Sequence, residues 1–298
     1  MKILLTGAGG QLAGAILDEF KNDEFKKDEF KNDEFEKTEL SGEAGLLALT
    51  HAQLDITDHR AVDARVRQFR PDVIINCAAY NQVDRAEEDA TAALMVNAFA
   101  VRILGRAAAD VGAALVHYST DFVFDGETER PYSEEDPPNP RSVYAASKLL
   151  GEWFAGGAPQ AYVLRVESLF GGRAAHGTVD RLIGDIKSSR DVRVFVDRTV
   201  SPSSVVDVAA ATRALLQRGA PGLYHCVNTG HCTWYELGEE LIRLLDSRAR
   251  LVPMQVQDLQ LPAARPTFAA LSNEKLGRAA FTMPHWRDAL ARHLQIAR

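Results

Sequence analysis

The amino terminus leaves this chain little choice of fold: Met1-Lys2-Ile3-Leu4-Leu5-Thr6 runs straight into Gly7-Ala8-Gly9-Gly10, and Gln11-Leu12-Ala13-Gly14 then opens an apolar helical pattern. A strand, a glycine turn and a helix in immediate succession let the backbone approach a pyrophosphate, whose charge meets the amino end of the helix. Gly7 and Gly10 hold the expected glycine positions, and Ala13 stands where a third glycine would allow close helix packing. A bound dinucleotide is therefore expected against Gly7, Gly9, Gly10, Gln11 and Leu12.

The rest of the chain continues the alternation. Strands are expected at Ile3–Thr6, Leu46–Thr50, Asp72–Asn76, Ala114–Ser119, Tyr162–Val166, Val192–Val196 and Leu223–Val227. Runs such as Val73-Ile74-Ile75 are apolar on successive residues, as strands buried on both faces must be. Helical patterns fill the intervals, notably Gln11–Phe20, Asp58–Phe69, Asp89–Val111, Ser142–Ala155 and Val205–Gln217. Thr233 with Glu236 reads as a capping box opening a further helix, and a last helix is expected over Trp286–Gln295. The fold class is α/β, a Rossmann-type doubly wound parallel sheet with a smaller carboxy-terminal substrate-binding lobe. Residues 1–165 are expected to form the dinucleotide-binding domain and 166–298 mainly the lobe, with strands near 192–227 returning to the sheet. The acidic, proline-rich loop Asp125–Arg141 is expected as an exposed connection over the site.

One segment breaks the pattern. From Phe20 to Phe35 the chain repeats on a five-residue period, and five steps of about 100° swing each Phe by roughly 140°, so these aromatics cannot share a helical stripe. Residues 20–38 are read as a repetitive surface insertion, with a partner-binding arm as the alternative. Between Asp18 and Glu39 stand ten acidic and five basic side chains, which account for five of the seven net negative charges of the chain. The remainder is nearly neutral and offers no basic footprint for nucleic acid or an anionic membrane. No run approaches the roughly 20 apolar residues needed to span a bilayer, and no leader pattern opens the chain. Cys77, Cys226 and Cys232 form no Cys-x-x-Cys pair, which fits a reducing, cytoplasmic setting. His225-Cys226 and His231-Cys232 offer nitrogen and sulfur, but neighbours on a strand point to opposite faces, so no metal is expected.

Three further motifs carry chemistry. Tyr144 and Lys148 lie four residues apart, on one face of a helix, where an ammonium beside a phenol would favour the phenolate and lower its pKa. Such a tyrosine passes a proton to a carbonyl oxygen while hydride arrives at carbon. Ser119-Thr120-Asp121 ends the fourth strand and Asn76-Cys77-Ala78-Ala79-Tyr80 the third, at the sheet edge where ligands gather. Thr120 can donate to the same carbonyl, and the small Ala78 and Ala79 leave room for a cofactor. At the end of the second strand Thr50 and His51 stand where a carboxylate would select NAD, so NADPH is preferred and NADH remains possible. Asp55, followed by Ile56, is placed to bond the adenine amino group or else to cap the next helix.

Taken together, the glycine turn, Asn76 to Glu87, Ser119 to Gly126 and Tyr144-Ala145-Ala146-Ser147-Lys148 resemble an extended short-chain dehydrogenase/reductase. Within that group the chain is similar to the dTDP-4-dehydrorhamnose reductase family, also through Gly222-Leu223-Tyr224-His225, Ala264-Arg265-Pro266 and Pro284-His285-Trp286. The resemblance implies Thr120, Tyr144 and Lys148 as catalytic residues. It adds Tyr80 and Asn97 to the cofactor contacts and Asp121, Val123, Phe124 and Arg265 to the substrate side. It implies NAD(P)H-dependent reduction of a dTDP-4-dehydro-6-deoxy sugar in dTDP-rhamnose synthesis, by a monomer or homodimer. The diphosphate needs a cationic clamp, with Arg265 the first choice and Arg165 the second. The chain departs from the family at Arg165-Val166-Glu167-Ser168-Leu169-Phe170-Gly171. Ser168 replaces a common Trp near the sugar, and Glu167 is a new carboxylate; both are placed at the substrate. The rivals are a nucleotide-sugar epimerase or dehydratase with bound NAD, and a regulatory subunit of the same fold.

Overall fold

The computed structural model describes residues 1–21, 45–173, 177–188 and 191–296. The pentad repeat beyond Lys21 lies outside the described residues. The amino-terminal strand β1 (Ile3–Thr6) is followed by the glycine turn and helix α1 (Gln11–Lys21), then by β2 (Leu46–Leu49), α2 (His59–Phe69), β3 (Val73–Asn76), β4 (Ala114–Thr120) and β5 (Gln160–Val166). With the strand Gly222–His225 they form one parallel sheet, ordered β2-β1-β3-β4-β5 and then Gly222–His225. β1 and β3 are fully buried along their length, which explains their unbroken apolar runs. The order reverses at β1, so a crevice opens at the carboxyl ends of β1 and β3, the position at which such sheets bind ligands.

Helices cover both faces. α1 and the helix Val205–Arg218 bury Ile16, Val208 and Leu215 against one side, while α2 and the helix Ala100–Val111 bury Val62, Val66, Leu104 and Ala108 against the other. Local chemistry sets the helix ends. Asp58 caps α2 by accepting from the backbone N–H of Arg60 (3.0 Å) and Ala61 (3.2 Å), and Arg70 turns left-handed at φ 49° to end it. Ser142 caps the helix Val143–Ala155, and Thr233 and Glu236 form the expected capping box ahead of Trp234–Leu245.

Four expectations need correction. The helical stretch expected over Asp89–Val111 contains a π-helical turn at Met95–Phe99. This stretch, Ala90–Val111, is also long and apolar enough to cross a membrane by composition, because its alanines raise the hydropathy. Half of that helix is buried inside the protein, with Val101 and Leu104 in the core under the sheet. The strand Asp191–Phe195 does not return to the main sheet; it pairs in parallel with Arg250–Met254 in the lobe. The loop Asp125–Arg141 is folded back rather than exposed throughout: Tyr132 is buried and exchanges backbone hydrogen bonds with Ala270 and Ser272. The lobe has its own core of Phe170, Leu182, Leu237, Leu241 and Leu290, in which Trp234 and Trp286 are buried as packing residues.

Candidate active site

The crevice is shaped by close backbone approach. Gly7 takes φ 70°, and a Cβ there would stand 2.5 Å from the Ala78 nitrogen, so the turn after β1 and the end of β3 touch only because Gly7 has no side chain. Gly9 has open space in front of it, at the amino end of α1. A bare backbone facing space at a helix amino terminus fits a dinucleotide diphosphate. Gln11 is drawn into the architecture instead: its amide donates to the Gly171 carbonyl and to Asp180, both at 2.8 Å, tying the lobe to the start of α1. Leu12 and Ile56 are core residues, so only their backbones are available to a cofactor.

At the adenosine end no carboxylate terminates β2. Both the Thr50 N–H and its hydroxyl donate to Gln53 (2.9 and 3.0 Å), and His51 beside them is exposed. Asp55 is engaged by Thr57, whose N–H and hydroxyl donate to it at 2.9 and 2.8 Å and hold its pKa below the usual range. It therefore shapes the turn before α2.

The reacting groups converge from β4 and the helix Val143–Ala155. Tyr144 and Lys148 are both buried, and Phe122 meets the Tyr144 ring edge-on at 5.6 Å. The Thr120 hydroxyl, whose influence reaches the Tyr144 phenol, donates to Asp121 at 2.8 Å. Lys148 donates to the Tyr118 carbonyl at 2.5 Å. The expected lowering of the Tyr144 pKa is not what this arrangement produces. Burial pushes the phenol up, the Asp121 carboxylate adds to the rise, and the Thr120 hydroxyl opposes it only in part. Tyr144 is thus held as the neutral phenol, the form that donates a proton. Burial lowers Lys148 to about 8, against the opposing charge of Glu152.

The π turn explains Asn97. Its carboxamide accepts from the Tyr80 N–H (2.9 Å) and donates to the Tyr80 carbonyl and the Ser147 hydroxyl (both 3.0 Å), while Ser147 donates to the Tyr144 carbonyl at 2.7 Å. Every polar atom of the amide is used, so Asn97 clamps the Ala78-Ala79-Tyr80 segment to the helix carrying Tyr144. The extra residue of a π turn, common at functional sites, aims it. Gly151 permits the close fit, since a Cβ there would collide with the Asn97 carbonyl oxygen.

On the substrate side Asp121 is buried beside Tyr144, with its pKa raised to about 6 by desolvation. Glu167 is buried too, its carboxylate accepting from the Ser201 N–H at 2.7 Å, and Ser168 takes the left-handed φ of 44° that turns the chain after β5. Several expected contacts are displaced. Val123 and Phe124 lie in a closed cluster with Tyr132, Leu149 and Leu271, where Phe124 stacks on Tyr132 at 4.0 Å, because the 3₁₀ turn Asp121–Val123 directs the chain inward. Arg165 is no clamp: it pairs with Glu152 through Nε (2.9 Å) and Nη2 (2.8 Å) in the interior, where its guanidinium covers Phe124. Arg265 is only partly buried and forms a two-pronged pair with Asp84, both bonds at 2.7 Å. His225 hydrogen-bonds to the Tyr132 carbonyl through Nδ1, and among the described residues no His, Cys, Asp and Glu group of three or more could hold a metal. Arg198, absent from the expected set, is half-buried: its Nε donates to the Pro266 carbonyl at 3.3 Å, its guanidinium lies 6.0 Å from the Phe122 ring, and the charges of Asp121 and Glu167 act on it. Its only local signal is an arginine placed after an alternating strand and ahead of Pro202.

Known proteins resemble this chain along most of its length. A dTDP-4-dehydrorhamnose reductase of Mycobacterium tuberculosis is 35% identical, covering 97% of this chain and 91% of that protein. A probable dTDP-4,6-dihydroxy-2-methyloxan-3-one 4-ketoreductase of Streptomyces antibioticus is 34% identical over 97% of this chain and 93% of its own length. The crystal structure of dTDP-4-dehydrorhamnose reductase from Bacillus anthracis, in complex with NADP, superimposes with a TM-score of 0.86 at 29% identity and covers 99% of this chain and all of that one. The family profile described as the RmlD substrate binding domain matches residues 1–298, and the chain belongs to that family.

Proposed function

We propose that this protein reduces the C4 ketone of a dTDP-4-dehydro-6-deoxy sugar with NADPH, and that its substrate is dTDP-4-dehydro-L-rhamnose, giving dTDP-L-rhamnose. The observation that carries the reading is the Thr120–Tyr144–Lys148 constellation at the carboxyl edge of the sheet, beside the glycine crevice, in a chain of this family. The backbone around Gly7, Gly9 and Gly10, the Ala78-Ala79-Tyr80 segment and the open end of β2 are suited to holding NADPH, which supplies a hydride when bound. A ketone oxygen set between Thr120 and Tyr144 receives the proton of the neutral phenol. The buried Lys148 ammonium favours the tyrosinate that this leaves behind and would hold the nicotinamide ribose of a bound cofactor. Arg265, held by Asp84, supplies positive charge for the substrate diphosphate. Cytoplasmic action fits a nucleotide-sugar substrate and a nicotinamide cofactor.

The test is NADPH absorbance on mixing the purified protein with enzymatically prepared dTDP-4-dehydro-L-rhamnose, with NADH in parallel. Oxidation that requires the sugar and is faster with NADPH supports the reading. A protein that purifies with bound NAD and converts the sugar without net oxidation of added cofactor would instead be an epimerase or dehydratase. Intact cofactor binding with no turnover on any dTDP-4-keto sugar would indicate a regulatory subunit.

A further inference from the structure

Asp180 does more than its own helix needs. It stands third in the helix Thr178–Ser188, and its carboxylate accepts from the Gly177 N–H at 3.1 Å, the ordinary service of an acid in a first turn. A side chain with that duty alone can stay in solvent, whereas that of Asp180 is only 6% exposed. Its Oδ1 accepts from the Gly171 N–H at 3.0 Å and faces the His293 Nε2 at 3.6 Å, and its Oδ2 accepts from the Gln11 amide at 2.8 Å. One buried carboxylate thus gathers donors from α1, from the turn after the short strand Leu169–Phe170 and from the last helix, Trp286–Ile296.

Gln11 faces two ways. Its Nε2 spends both hydrogens on the lobe, one on Asp180 and the other on the Gly171 carbonyl. Gly177 lets these segments close up, since a Cβ there would collide with the Leu169 carbonyl oxygen and stand 3.1 Å from the Asp180 carboxylate. The backbone of Gln11 belongs to the crevice. Its N–H and that of Leu12 follow Gly9 and Gly10 at the amino end of α1 and find no acceptor among the described residues. Open first-turn N–H groups are what a diphosphate takes up. A second polar link joins the same two stretches, the Arg173–Asp18 pair at 2.8 Å, but its side chains are 80% and 41% exposed and it contributes little in water. Of the two, the buried Gln11–Asp180 bond carries the connection.

We propose that Asp180 is a positioning residue for the cofactor, and that through Gln11 it makes dinucleotide binding in the crevice and ordering of the lobe mutually dependent. This rests on the reading of the glycine crevice as the NADPH site and deepens it. A diphosphate on the Gln11 and Leu12 N–H groups fixes the first turn of α1. That turn carries the Gln11 amide, and the amide holds Asp180 at the head of a lobe helix. Coupling of this kind is reciprocal, so the hold of the lobe on Gln11 tightens the cofactor by the same factor as the cofactor tightens the lobe.

The experiment is calorimetric titration of NADP+ into the full-length protein and into Gln11→Ala, Asp180→Asn and the double variant. Asn keeps the shape of Asp180 but leaves one acceptor oxygen where the carboxylate serves the Gln11, Gly171 and Gly177 donors. Each single variant should bind NADP+ about tenfold more weakly, and the double variant no more weakly than either, because both changes remove one contact. A double variant weakened by the product of the two single effects would mark unrelated structural losses and overturn the proposal, as would unchanged affinity in either single variant. Hydrogen exchange gives a reading that a merely structural role would not move. NADP+ should slow amide exchange across Thr178–Ser188 in the wild type and leave it unchanged in Gln11→Ala, which retains Asp180 and its contact to Gly177. Equal slowing in both proteins, or none in the wild type, would overturn the coupling even if Asp180→Asn failed to fold. Neither reading needs turnover, so a protein that shows the coupling but never oxidises NADPH would refute the reductase reading and leave the Gln11–Asp180 tie standing.

Discussion

Replacing Glu152 by Gln tests how the catalytic helix is anchored. Glu152 lies one helical turn beyond Lys148 and accepts from the Arg165 Nε and Nη2 at 2.9 and 2.8 Å and from the Ser119 hydroxyl. The two charged side chains are only 3% and 7% exposed, so the change strands the Arg165 guanidinium in the interior with no opposite charge, although it creates no cavity. Removing one partner of a buried ion pair costs about 3–5 kcal/mol. Urea unfolding, read with an unchanged m-value, should show a loss of that size. The double variant Glu152→Leu/Arg165→Met removes both charges and should recover most of it, to within about 1–2 kcal/mol of wild type. Activity should respond as well. Burial holds Lys148 near 8 while the Glu152 charge opposes that fall, so without Glu152 the ammonium loses its proton at lower pH. The alkaline limb of kcat in Glu152→Gln should therefore move down the pH scale. A stability within about 1 kcal/mol of wild type and an unmoved alkaline limb would refute the reasoning.

Three further outcomes follow from the same geometry. Tyr144→Phe should lose about 10²–10⁴-fold in kcat and keep its NADPH affinity by fluorescence titration, because it removes a proton donor and little surface. Gly7→Ala should abolish cofactor binding, or folding of the crevice, since its Cβ would sit 2.5 Å from the Ala78 nitrogen at φ 70°; calorimetric titration with NADPH measures it. Asn97→Ala strands the Tyr80 N–H and carbonyl, and should cost about 1–3 kcal/mol in urea unfolding while lowering kcat.

The features legible in the sequence are those whose cause is local. The glycine turn is set by adjacent residues, and the capping box of Thr233 and Glu236 acts within three positions, so spacing alone located them. The one-face placement of Tyr144 and Lys148 follows from helical periodicity. What the sequence hid depends on distant partners. Nothing near Arg165 announces Glu152, nothing near Arg265 announces Asp84, and the charges of Asp121, Glu167 and Arg198 act on one another only after the ends of two strands and the lobe are in place. Val123 and Phe124 look like site residues because they follow Thr120 directly, but a single 3₁₀ turn carries them into the core. The strand Asp191–Phe195 has the same local pattern as the sheet strands, and only its partner Arg250–Met254 assigns it to the lobe. The reversal at Tyr144 has the same origin: spacing puts a lysine on the same helix face, whereas its amine turns to the Tyr118 carbonyl, and burial, which no spacing reveals, raises the phenol.

The central claim is hydride delivery to C4 of a dTDP-linked keto sugar, with protonation by Tyr144. Its most direct test is a reaction with NADPH deuterated at the transferable position, followed by NMR of the sugar product from wild type and Tyr144→Phe. The account predicts a dTDP-6-deoxyhexose carrying deuterium at C4 alone, formed by the wild type and almost absent with the variant. Deuterium at another carbon, or wild-type yield from Tyr144→Phe, would contradict it.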